Sequence, residues 1–121
     1  KGLKMPVINY KKTFNKALKI MNQKKLGIVV IVKNKFIVGL VTDGDLRREL
    51  NKSSTNKSLD NFIKKSPLVV NENMPASKAL AIMNEKKITS LLVVSDKDLK
   101  KNNKVLKGII HIHFLLQNGI K

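Results

Sequence analysis

The sequence predicts a mixed α/β (α+β) fold built from two copies of one strand–helix–strand–strand–helix unit. Three observations carry this prediction. The stretch from Lys16 to Lys25 returns, largely unchanged, from Lys78 to Lys87, a shift of 62 residues. The continuous apolar, β-branched run Ile28 to Val32 falls at the same shift on Ser90 to Val94. A glycine, Gly39 in the first copy and Gly108 in the second, then sits in the next apolar run, with an insertion near Asp98 to Lys104 between them. Two copies are too few for a solenoid, so they read as a pseudo-two-fold pair in which each unit buries the sheet face that the other would leave exposed. The copies are bounded at 1–57, with a linker, and 58–121, and together make one module.

Taken in order, Lys1 to Lys4 is a polar lead-in, and Met5-Pro6-Val7-Ile8 is a short apolar strand whose start suits Pro6. Thr13 is an N-cap candidate; Phe14, Ala17, Leu18 and Met21 follow at helical spacing with lysines between them. Leu26-Gly27 ends that helix. Ile28 to Val32, apolar without alternation, predicts a strand buried on both faces. Lys33-Asn34-Lys35 is a tight turn, and Phe36 to Val41 is the second arm of a hairpin. A helix from the Thr42 turn to about Leu50 completes the unit. Asn51 to Lys57 is polar and reads as a linker. Ser58 to Lys65 predicts a short helix that holds Leu59, Phe62 and Ile63 to the core, stopped by Pro67. The second unit has a strand at Leu68 to Val70, then Pro75 at the first position of a helix bearing Ala79, Leu80 and Met83. A strand at Leu91 to Val94, a polar loop from Asp96 to Lys104 and a strand at Val105 to Ile110 follow. A turn at His111-Ile112-His113 leads into a last helix to about Asn118, with Gly119 as its C-cap. Met21, Met74 and Met83 read as core filler.

The chain has 121 residues, 42% of them hydrophobic, and no cysteine. That is enough to bury a core, and it excludes disulfides and cysteine–metal sites. A reducing cytoplasmic location is compatible with this usage. No apolar run approaches the roughly 20 residues of a membrane span. No targeting segment shows, and the chain opens on Lys1, so it reads as a piece of a longer polypeptide. The net charge of +17 favours phosphorylated small molecules and acidic partners through long-range steering. The charge is mostly lysine spread along the chain; the arginines are Arg47 and Arg48, and no stripe of interleaved basic and aromatic residues forms, which argues against nucleic acid.

The chemistry concentrates where the first hairpin ends, from Gly39 through Thr42 and Asp45 to Arg48. A strand that feeds a helix start is an anion site in waiting, because the first helical N–H groups lack internal partners and the dipole favours negative charge. Thr42 can cap the helix or hold a phosphate. Asp45, three residues on, can complete a capping box or accept from a pair of sugar hydroxyls. Arg47 and Arg48 can reach a phosphate or carboxylate bidentately, or form a solvated helix face paired with Glu49 or Asp60. His111 and His113 make either a sparse metal pair or hydrogen-bonding groups at a turn. No Ser-His-Asp set, paired glutamates or metal cluster stands out, so no catalysis and no catalytic cofactor is expected within these residues.

Two such repeats, the first ending in glycine, two apolar residues and Thr42-x-x-Asp45, resemble a CBS domain pair, the Bateman module. Thr42-Asp43-Gly44-Asp45-Leu46-Arg47-Arg48, with Lys87-Ile88-Thr89-Ser90 and His111-Ile112-His113, is further similar to the C-terminal CBS pair of the arabinose-5-phosphate isomerases. These are sugar-phosphate isomerases of the Kdo and lipopolysaccharide branch. The resemblance implies a regulatory nucleotide such as AMP, ATP or a CMP-sugar (CMP-Kdo as a candidate end-product inhibitor) in clefts between the repeats. It implies an N-terminal sugar isomerase (SIS) domain in the parent chain, which would carry the isomerase activity, and a homodimer of CBS pairs. Carried onto this chain, Asp45 accepts from ribose hydroxyls, and Thr42 with the adjacent N–H groups holds phosphate. Leu26, Gly27 and Ile28, with Val7 and Ile8, form the apolar slot for the base. In the second copy His111 stands in the place of Thr42, so that His111 and His113 are the ligand-binding candidates of that cleft, and Phe114 stands in the place of Asp45. The ribose acceptor is therefore missing there, Phe114 reads as a departure or as core, and Thr89 and Ser90 offer hydroxyls. The alternatives are a dimerisation module without ligand, and a sensor of a different enzyme or transporter.

Overall fold

The computed structural model describes residues 5–50, 58–63 and 68–119. The lead-in at 1–4, the linker at 51–57, and Lys64 to Pro67 with the expected helix stop lie outside the described residues. The chain forms two compact units, Lys1–Pro67 and Leu68–Lys121. The first comprises β1 (Val7–Asn9), α1 (Phe14–Lys24), β2 (Ile28–Lys33), β3 (Phe36–Thr42) and α2 (Asp43–Leu50). The second comprises β4 (Val69–Asn71), α3 (Ala76–Lys86), β5 (Ser90–Val94), β6 (Gly108–His111) and α4 (Ile112–Gln117). Each has a three-stranded sheet with the central strand parallel to the first and antiparallel to the third.

The repeat in the sequence is a repeat of hydrogen bonds. Val7 pairs with Val30, and Val69 with Leu92, both displaced by the same 62 residues. Tyr10 N–H donates to the Val32 carbonyl and Glu72 N–H to the Val94 carbonyl, each at 2.9 Å. The side-chain carbonyls of Asn9 and Asn71 each accept the N–H two residues on, at 2.9 Å, and so turn the chain towards its helix. Both helices then stop on a lysine in the left-handed region, Lys25 at φ 56° and Lys87 at φ 58°. Thus α1 ends before Leu26-Gly27, one residue earlier than the glycine signal suggested. Pro75 is the N-cap of α3, with extended ψ 143°, rather than its first helical residue.

The first central strand is buried over Ile28 to Ile31, as the unbroken run from Ile28 to Val32 predicted, with Val32 only partly so; Leu91 to Val94 of the second are likewise buried. In the first unit α1 contributes Phe14, Ala17 and Met21 to a core with Ile8, Val29, Ile31, Val41 and Leu46. In the second, Ala79, Leu80 and Met83 pack with Val70, Leu91, Val93 and Leu115. The hairpins differ. Asn34 and Lys35, at φ 51° and 67°, close the first with the double left-handed turn that matches strand twist. In the second, 95–107 intervenes and β6 is shorter than the expected Val105 to Ile110. That segment is held internally, since the Asp98 carboxylate accepts from Val105 N–H at 3.2 Å and Leu106 is buried.

Within Ser58 to Lys65, the described residues form a single 3-10 turn, Asp60–Phe62, where a short helix was expected. Of the three apolar residues expected to hold it to a core, Leu59 and Phe62 do so, and that core is the first unit's. Leu59 is fully buried there, and Phe62 stacks on Phe14 with ring centroids 5.9 Å apart. This groups 58–63 with the first unit by contact, although the repeat boundary in the sequence falls at 57/58. Ile63, by contrast, is exposed and makes an antiparallel bridge to Gly39. A Cβ on Gly39 would lie 2.2 Å from the Phe62 carbonyl oxygen. At Gly108, in the same sheet position, a Cβ meets nothing within 4 Å among the described residues. We therefore expect Gly39→Ala to cost about 1–3 kcal/mol by overpacking, and Gly108→Ala to stay within about 0.5 kcal/mol of the parent, in urea unfolding. Equal costs would show that the crossing chain does not depend on Gly39.

Candidate functional site

At the end of the first hairpin, register brings the sequence-predicted residues together. Ile28 pairs with Thr42, and Asp43 N–H donates to the Gly27 carbonyl at 3.0 Å. Leu26, Gly27 and Ile28 thus run beside the start of α2, which carries Asp45, Arg47 and Arg48. Strand alternation puts Val7, paired with Val30, on the same sheet face as Ile28. Ile8 faces the other way into the core, so of the two β1 residues only Val7 shares a face with Ile28.

Thr42 and Asp45 form a reciprocal cap. Asp45 N–H donates to the Thr42 hydroxyl oxygen at 3.2 Å, while the Asp45 Oδ2 accepts from both the Thr42 N–H and its hydroxyl at 2.9 Å. The remaining oxygen, Oδ1, accepts from Arg48 Nη2 at 2.5 Å. Arg47 pairs with Asp43 at 2.7 Å. Asp43 and Asp45, acids in the first turn of the same helix, are therefore the partners that the structure gives the two arginines, in place of the expected Glu49 and Asp60; Glu49 is itself buried. Asp43 is the group the motif reading passed over, though its i,i+4 spacing to Arg47 was visible. Burial alone would raise the Asp45 carboxyl, but the Thr42 and Arg48 bonds outweigh it and hold it below its ordinary value.

The second unit builds the same junction from other chemistry. Ser90 pairs with His111, and Ile112 N–H donates to the Thr89 carbonyl at 2.8 Å. His111 caps α4 through Nδ1, which accepts from His113 N–H at 3.2 Å. The two rings lie 5.0 Å apart between centroids. Leu115 takes the core position of Leu46. Phe114 is not core: it is 63% exposed, because a helix turn that buries Leu115 points its neighbour outward. Thr89 is exposed, whereas the Ser90 hydroxyl is buried and has no hydrogen-bond partner among the described residues.

The cap makes a prediction. Asp45→Ala should cost about 1 kcal/mol at neutral pH, the usual worth of such a cap. Because the folded carboxyl sits below its ordinary value of 3.8, that contribution is present above about pH 4 and is lost as pH falls through the folded value. Denaturant unfolding of the two proteins should therefore converge in acid. A constant difference would place the effect elsewhere.

Comparison with known proteins agrees with this architecture. The family model for the CBS domain matches twice, at residues 3–52 and 59–113. A probable arabinose 5-phosphate isomerase of Haemophilus influenzae is 34% identical over 98 residues, covering 78% of this chain and 29% of that protein. The arabinose 5-phosphate isomerase of Francisella tularensis is 29% identical over 119 residues, covering 97% and 35%. The chain thus spans about a third of the length of these curated relatives. Among solved structures, a CBS-domain protein of Agrobacterium tumefaciens superposes with TM-score 0.80 at 19% identity, covering 98% of this chain and 92% of that one. A CBS domain protein of Pyrobaculum aerophilum complexed with AMP gives 0.76 at 22%, covering 93% and 86%. With its two matched repeats and the paired registers above, the chain belongs to the CBS-domain family as a tandem CBS pair, homologous to a region of arabinose 5-phosphate isomerases.

Proposed function

We propose that this module senses a nucleotide or nucleotide-sugar and adjusts an arabinose-5-phosphate isomerase, through a SIS domain in the same polypeptide of a cytoplasmic, dimeric enzyme. The observation that carries the reading is the arrangement at Asp45. One oxygen is fixed by Thr42, which orients the carboxylate, and among the described residues the other is held only by Arg48, whose side chain is 70% exposed. Because the Arg48 end of this pair is exposed and screened by solvent, a sugar diol can take its place at Asp45. Arg48 is then released to meet a phosphate, with Arg47 one residue away. Asp43 and Asp45 disfavour an anion at the helix start, so the phosphate depends on the arginines rather than on the helix dipole. Leu26, Gly27 and Val7, which are partly exposed, offer an apolar surface for a base, whereas Ile28 is buried. The AMP complex of the structurally similar Pyrobaculum protein and the kinship with isomerases support this choice of ligand class and effector. Regulation requires that the ligand bind the two activity states with different affinity.

A second reading, an association module without ligand, is favoured by one observation: the second junction has Phe114 exposed where the first has its carboxylate.

Thermal unfolding against adenosine, AMP, ATP, CMP, CMP-Kdo and arabinose 5-phosphate tests both. A nucleotide at a hundred times its dissociation constant should stabilise by about 2.7 kcal/mol, read for each protein against its own unliganded state. Asp45→Ala should abolish the shift. Arg48→Ala should weaken AMP about tenfold or more while leaving adenosine nearly unchanged. No shift with any compound favours the association module.

A further inference from the structure

The two junctions of the repeat differ in how they respond to protons. In the first, the cap is a hydroxyl backed by a carboxylate, and neither group changes charge near neutral pH. In the second, the cap is the His111 imidazole, which accepts from His113 N–H only while its Nδ1 lone pair is free. Protonation removes that acceptor. It also sets a cation at the positive end of α4, with a second imidazole 5.0 Å away between ring centroids.

We propose that the His111 cap is a proton-sensitive latch on α4, closed when the imidazole is neutral and opened when it is protonated. The surroundings leave the proton little to gain. The strands β5 and β6 carry no other titratable side chain, and the residue opposite His111 is the uncharged Ser90. On α4 the titratable group is His113. The packed helix α3 contributes Lys78, Glu85 and Lys86, followed by Lys87; of these neighbours, His113 is the one whose charge acts on His111. Burial first, and the His113 charge second, hold the His111 imidazole below its ordinary value of 6.5. The sign follows: the latch contributes fully above about pH 6.5 and is lost as pH falls through the folded value. What opens is the first turn of the helix that carries exposed Phe114.

The test is NMR on this chain between about pH 5 and pH 8, following the two imidazoles together with the α4 amides. His111 should titrate below 6.5, and the His113 amide should shift with the same midpoint. Protection of the His113–Leu115 amides, corrected for intrinsic exchange, should fall about fivefold as His111 charges, the factor that a cap of roughly 1 kcal/mol implies. His111→Thr, which copies the Thr42 cap, should keep α4 and remove the pH dependence. His113→Ala should keep the dependence and move its midpoint upward. The latch is overturned if the His113 amide keeps its protection while His111 titrates, or if His111→Thr retains the dependence.

Discussion

The structure depends on one backbone constraint: the central strand of each unit starts opposite the residue that caps the following helix. Ile28 faces Thr42 and Ser90 faces His111; in each unit the next N–H, of Asp43 or Ile112, donates back to the residue before the strand. A slip of one residue would turn Val29 and Ile31 out of the core and carry the cap to the wrong face. The buried β-branched strand thus does more than fill the interior. It sets where a polar side chain meets a helix start, which is where this fold puts its chemistry.

At the two junctions, given a shared backbone register, the difference is one of side-chain chemistry. The first junction is charge-rich, with two carboxylates answered by two arginines on one short helix. Among the described residues the second has neither acid nor base on α4 beyond its imidazoles, and the Ser90 hydroxyl is buried without a partner. Duplication preserved the hydrogen bonds that the backbone needs and released the side chains to diverge. A family assignment therefore describes both junctions while specifying the function of neither.

Much of this was legible in the sequence because its period and repeat report burial directly. The Lys16–Lys25 repeat located both long helices, and the unbroken run at Ile28 located a strand buried on both faces. Three features were hidden for physical reasons. The helix ends depend on a left-handed lysine, which composition does not flag because the residue of choice there is glycine. The tie of 58–63 to β3 depends on a contact between residues far apart in sequence, at a glycine that the repeat alone made conspicuous. At the candidate site, Thr42 and Asp45 were legible, but the pairing of Arg48 with Asp45 Oδ1 was not, since several acids lie within reach of a long arginine. Of the two readings of Phe114, a motif departure or a core residue, the core one fails because helix phase turns the ring outward.

The two hairpins also differ in how the chain must search for them. A two-residue turn brings β2 against β3 through contacts that are almost immediate in sequence, an event of microseconds. To join β5 to β6 the chain must first close 95–107, with an added loop entropy of about 1–2 kcal/mol. The Asp98 contacts recover part of that cost only after the loop has formed. Near-identical architectures thus have unequal contact order, and the difference lies in the hairpins, since the parallel pairs Val7–Val30 and Val69–Leu92 span equal lengths of chain.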